Sequence, residues 1–89
     1  MWDWDEQKRQ ANLAKHGVDF ALVDGFDWLS ADIRVDDRFD YGEVRTSALG
    51  VIGGRLFAVA YTERGAITRI ISLRKANERE KRLWTTSAK

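Results

Sequence analysis

The sequence predicts an α+β domain: two N-terminal helices, a sheet of three or four antiparallel strands, and a C-terminal helix. Three observations predict it. Apolar residues in the first third recur at helical spacing between capping signals. After Glu43 the period falls to about two, with Gly53-Gly54 set between two apolar runs. Asn77, with Glu80 three residues on, then opens a last helix.

Asp3-Trp4-Asp5-Glu6 fits a capping box, with Asp3 as N-cap and Glu6 at the third helical position. It predicts a helix from Trp4 to Lys15. Gly17, just after His16, suits a left-handed C-terminal cap. Asp19 caps a second helix, with Val18 and Val23 as a staple. Phe20, Leu22, Val23 and Phe26 form its buried face, and Gly25 weakens its end. Residues 28–42 are poorly patterned. They hold a short edge strand around Ile33–Val35, then an acidic loop over Asp36–Asp40. Residues 44–52 form a strand ending at the Gly53-Gly54 hairpin. LFAVAYT, residues 56–62, is apolar on both faces and belongs at the sheet centre. Glu63-Arg64-Gly65 turns the chain, and Ala66 to Leu73 or Arg74 returns antiparallel. Strict alternation puts Ile67, Arg69, Ile71 and Leu73 on one face, and Thr68, Ile70, Ser72 and Arg74 on the other. The last helix runs to about Trp84, docks through Leu83 and Trp84, and leaves Thr85–Lys89 frayed.

The 89 residues make one domain, residues 1–89. At 44 % hydrophobic and 33 % charged, the chain is globular and not disordered. It has no cysteine and one histidine, so disulfides, cysteine zinc sites and multi-histidine metal sites are excluded. No metal and no cofactor is expected. There is no run of 18 apolar residues, and MWDWDEQKRQ is not a signal peptide, which predicts a soluble cytoplasmic protein without a membrane partner. The net charge of +1 hides a division. Residues 1–43 carry five Lys/Arg against eleven acids, a net of −6, and residues 44–89 carry ten against three, a net of +7. Such asymmetry suggests a polyanion or an acidic partner for the basic half.

Arg64, Arg69, Arg74 and Arg79 recur at a five-residue interval. A sheet with helices on one face leaves the other open, and guanidinium forks there match phosphates bidentately. The opposite reading is that they pair with acids inside the fold. Residues five apart on a strand face opposite ways, so the spacing favours neither. Glu63 offers a carboxylate for acid–base chemistry, or is a solvated turn residue. Tyr61 stacks on a base or packs in the core. Thr62 and Ser72 donate to phosphate or bond locally. His16 titrates near neutrality and relays a proton, or sits at a helix C-terminus whose dipole favours a cation. Lys8 and Lys15, seven apart, share one helix face that is either part of a phosphate-binding surface or simply wet. Trp2, Trp4, Trp28 and Trp84 are packing residues.

The block WDWDEQKRQANLAKHGVDF carries Asn12, Lys15, His16, Gly17, Val18 and Phe20 in an N-x-x-K-H-G-V-x-F pattern. YTERGAITRIISLRKANEREKRLW carries Y-T-E-R, then R-I-I-S-x-R-x-A, then E-R. Together these resemble the two signatures of the BrnT family, in order and across nearly the whole chain. The resemblance implies a RelE-like fold and a ribonuclease toxin of a type II toxin–antitoxin system that blocks translation. It implies a BrnA-type antitoxin with a ribbon-helix-helix part, and contact with operator DNA only through that antitoxin. By position, the family's polar set falls on Lys8, Asn12, His16, Glu63, Arg64, Arg69, Ser72, Arg74 and Arg79. The catalytic candidates are Glu63, Arg64, Arg69, His16 and Lys8. The RNA-binding candidates are Arg74, Arg79, Lys15, Tyr61, Thr62 and Ser72. Cleavage is expected to be metal-independent. Two rivals stand beside this reading: an RNA-binding module that uses the same arginines without catalysis, and an inactive toxin, kept as an antitoxin partner or co-repressor, that binds through its sheet or helices.

Overall fold

The computed structural model describes residues 1–37 and 42–87. The chain does not begin with a helix. Trp2–Trp4 forms a short strand, β1, that pairs parallel with the last strand, opposite Thr68–Ile70. Its alternation gives the reason. Trp2 stacks on Trp28 at 5.2 Å and Trp4 meets the ring of Phe20 edge-on at 6.0 Å, both on the core side. Asp3, between them, pairs with Arg69 at 3.1 Å. The helix cap therefore moves from Asp3 to Asp5, whose carboxylate accepts from the N–H groups of Gln7 and Lys8 at 2.8 and 3.4 Å. Helix α1 spans Glu6–His16 and ends at Gly17 in the left-handed region, φ 69°.

The second element is a 3₁₀ helix over Phe20–Gly25, capped by Asp19, and not a second α-helix. Its buried residues explain the tighter winding. Phe20, Val23 and Phe26 recur every three residues, the 3₁₀ repeat, and all three are buried. Leu22, which α-helical spacing would place with them, is 45 % exposed.

Strands β2 (Asp32–Asp36), β3 (Arg45–Ile52), β4 (Arg55–Arg64) and β5 (Ile67–Lys75) complete a five-stranded mixed sheet of order β1-β5-β4-β3-β2. The sheet thus has five strands where three or four were expected, and one pairing is parallel. The acidic loop expected over Asp36–Asp40 lies mostly outside the described residues. LFAVAYT does occupy the sheet centre, within β4. Gly53 and Gly54 turn the β3–β4 hairpin with φ 56° and 80°, the mirror-image turn that suits strand twist. β4 runs on through Glu63 and Arg64, so the turn to β5 falls at Gly65-Ala66.

Strict alternation fails in β5. The register pairs Ala60 with Ser72 but Tyr61 with Ile70, leaving Ile71 as the extra residue of a bulge. Ile70 and Leu73 therefore both face the core, opposite Tyr61 and Val59. Arg69, Ser72 and Arg74 fall together on the other face, beside Thr62, Ala60 and Ala58. The core lies on the first face, where Phe20, Val23, Phe26, Val59, Ile70 and Leu73 are buried. At about 25 cal/mol per Å² of apolar area, such burial is the main stabilising term.

Helix α1 lies against β5. There Asn12, itself buried, gives its amide N–H to the Leu73 and Val18 carbonyls at 2.7 and 3.0 Å and accepts the Leu73 N–H at 3.3 Å. Helix α2, Glu78–Ser87, extends three residues past the predicted end. It opens with the reciprocal cap read from sequence: Asn77 accepts the Glu80 N–H at 2.8 Å, and Glu80 accepts the Asn77 N–H at 3.0 Å.

Candidate active-site groove

Position in the fold separates the predicted site residues into three groups. The first is structural. Tyr61 is buried, with Trp28 edge-on to its ring at 5.3 Å, and burial with nearby Glu63 pushes its hydroxyl pKa up. Thr62 is buried and donates to the Val44 carbonyl at 2.7 Å.

The second group is the arginine series with Glu63. Arg64 bonds Glu43 at 3.1 Å, and Arg69 bonds Asp3 at 3.1 Å. Arg74 is held by both oxygens of Glu80, at 2.7 and 2.8 Å. Three of the four arginines thus have a carboxylate partner within the fold. Glu63 is exposed near the end of β4, paired in register with Thr68. Arg79 stands on the first turn of α2, beside a separate depression.

The third group converges. Lys8, Lys15 and His16 project from α1 into a groove of about 300 Å³ whose other wall is Arg45 of β3 with Ile71 and Ser72 of β5. Helical spacing puts Lys8, Ala11, Asn12 and Lys15 on the same side of α1. Ser72 lies on the same side of the sheet as Arg74, two residues on. Among the described residues, no carboxylate lines the groove. Neither Lys8 nor Lys15 makes an ion pair among the described residues. A concave surface with cations and a hydroxyl is an anion site by composition.

His16 has its pKa lowered by burial and by the positive charge of Lys15 and Arg74. That direction opposes the effect of the α1 dipole, which favours a charged histidine. The imidazole is therefore neutral at pH 7 and has a ring nitrogen free to accept a proton.

Arg45 was not singled out by sequence reasoning. It opens β3 just after a poorly patterned stretch, and only the sheet register reveals that it faces α1. Nothing in its neighbours Val44 and Thr46 signals that.

Among the described residues, no cluster of three or more His, Cys, Asp or Glu is arranged to hold a metal ion, and no helix is long and apolar enough to cross a membrane. Comparison with curated proteins finds no match. Comparison with protein families matches residues 4–80 to the model described as the ribonuclease toxin, BrnT, of type II toxin–antitoxin systems. That span includes β1 from Trp4, the groove and the first turn of α2, and with it the chain belongs to the BrnT family of ribonuclease toxins.

Proposed function

We propose that this toxin cleaves RNA in the groove between α1 and the sheet, without a metal ion, and so blocks translation. The observation that carries the reading is the convergence of Lys8, Lys15, Arg45, Ser72 and His16 on one concavity. RNA brings its own nucleophile, the 2′-hydroxyl. Neutral His16 takes the proton from that hydroxyl as the 2′-oxygen attacks phosphorus. The bond to the 5′-oxygen breaks, leaving a 2′,3′-cyclic phosphate and a 5′-hydroxyl. Lys8 or Lys15 supplies the proton to the departing oxygen. Arg45 and the second lysine hold the non-bridging oxygens as charge builds on them. One such positioned group is worth about 3–4 kcal/mol. Ser72 donates a further hydrogen bond to phosphate.

Family membership implies a protein antitoxin. In this reading it is BrnA-type, with a ribbon-helix-helix part that contacts operator DNA, and the toxin reaches DNA only through it. Covering the groove would deny it to RNA.

The test is incubation of purified total RNA with the purified chain in excess EDTA, beside His16→Gln and Arg45→Ala. Cleavage by the wild type alone, with cyclic phosphate ends, supports the reading. Cleavage that stops in EDTA and returns with magnesium would refute metal independence. Undiminished cleavage by both variants would remove the groove. Binding without any product would favour the non-catalytic module.

A further inference from the structure

The open face of the sheet carries a second concavity, of about 170 Å³, between β2, β3 and the start of α2. Its chemistry differs from that of the groove. Leu49 and Leu83 are its apolar lining residues, and Asp32, Arg34, Ser47, Asn77, Arg79 and Glu80 set polar groups around them. Its charges are largely matched. Asp32 accepts from Arg34 at 3.3 and 3.1 Å, and Glu80 is engaged by Arg74. Such a pocket does not favour a phosphate. Apolar walls with a few placed donors and acceptors suit a flat uncharged ring.

The two concavities are joined. Ser47, Ala60 and Ser72 are consecutive partners across β3, β4 and β5. They form a straight row of small side chains two strand spacings long, about 10 Å. Ser72 lines the cationic groove, and Ser47 lines the α2 pocket. Between them lies a depression lined by Ala58, Ala60 and Arg74, with Asp36 also on its border.

We infer that the α2 pocket is a nucleobase subsite for the nucleotide adjoining the phosphate held in the groove. The inference rests on the RNA reading of the groove. Leu49 and Leu83 contact the faces of the base, Asp32 and Ser47 meet its hydrogen-bonding edge, and Arg79 closes the rim. The substrate class follows. The base must leave its stack to enter, so the ligand is single-stranded RNA and not a duplex.

The test uses fluorescence anisotropy with two probes of equal charge. One is a 2′-O-methyl RNA hexamer, which lacks the nucleophile, and the other is a hexamer of abasic 2′-O-methyl ribose phosphate. The wild type binds the base-bearing probe at least about tenfold more tightly, the scale of discrimination by an apolar pocket. Leu83→Ala loses most of that advantage while holding the abasic probe as before, which also shows that the variant is folded. Leu83→Met, which keeps the apolar volume, restores it. Lys8→Ala weakens both probes alike. Equal binding of the two probes by the wild type, or an advantage that survives Leu83→Ala, overturns the subsite and leaves the groove standing. Binding of neither probe overturns the groove as an RNA site, and the subsite with it.

Discussion

The side-chain amide of Asn12 bonds both the carbonyl and the N–H of Leu73, at 2.7 and 3.3 Å. A carboxamide has the same donor and acceptor as a peptide group. Asn12 thus stands in for a strand residue along β5, where β1 reaches no further than Ile70. Asn12→Ala strands three backbone groups, the Leu73 carbonyl and N–H and the Val18 carbonyl, each costing about 1–3 kcal/mol if buried without a partner. The variant should lose about 3 kcal/mol by urea denaturation. A loss below about 0.5 kcal/mol would show that water replaces the amide.

Arg74 and Glu80 link β5 to α2 through two short hydrogen bonds. Both side chains are only partly exposed, so a double-mutant cycle with Arg74→Ala and Glu80→Ala should give a coupling of about 1 kcal/mol. The Arg74 guanidinium, with the Asn77 N–H, holds the Glu80 carboxyl below its usual value of 4.5. The sign follows. The stabilisation is complete above pH 4.5 and fades as pH falls through the lowered value. Hydrogen exchange in α2 should accelerate over that range in the wild type, and should not in Glu80→Gln.

Among the described residues Lys8 has no carboxylate partner, whereas Arg64 is tied to Glu43 at the far end of β4. Lys8→Ala should weaken RNA binding across sequences. It should also reduce the slope of log affinity against log salt by about 0.7, the increment for one phosphate contact on a single strand. Arg64→Ala should leave the slope unchanged. The reverse pattern would move the phosphate site from α1 to the β4–β5 turn.

Cleavage that uses neutral His16 should lose rate on the acid side only below pH 6.5, because burial, Lys15 and Arg74 all depress its pKa. Lys8 and Arg45, which line the same groove, add positive charge in the same sense. Lys15→Ala removes one of those charges, so its acid limb should move to higher pH. A pH–rate profile that stays put, or moves lower, would take His16 out of proton transfer.

Local signals were legible because local chemistry settles them. Gly17, Gly53-Gly54 and the Asn77–Glu80 cap each depend on residues within a few positions. The parallel strand was not legible. Three residues carry too short an alternation, and their partner lies more than sixty positions away. Capping chemistry misplaced the helix start because Asp3 and Asp5 are both good N-caps, and only Arg69 decides between them. The bulge was equally hidden, since Ile70-Ile71 reads as unbroken alternation. It is the bulge that puts Arg69 and Arg74, five apart, on one face. Of the predicted site, Lys8, Lys15, His16 and Ser72 meet in the groove, and Arg74 lies beside Ser72. Arg45 completes the wall by register alone.

The pairing of the first strand with the last also sets when the groove is complete. Lys8, Lys15 and His16 leave the ribosome early, but Ser72 and the Leu73 backbone that anchors Asn12 come some sixty residues later. Contacts of such sequence separation form late and slowly. A nascent chain therefore carries only half a groove until β5 has emerged.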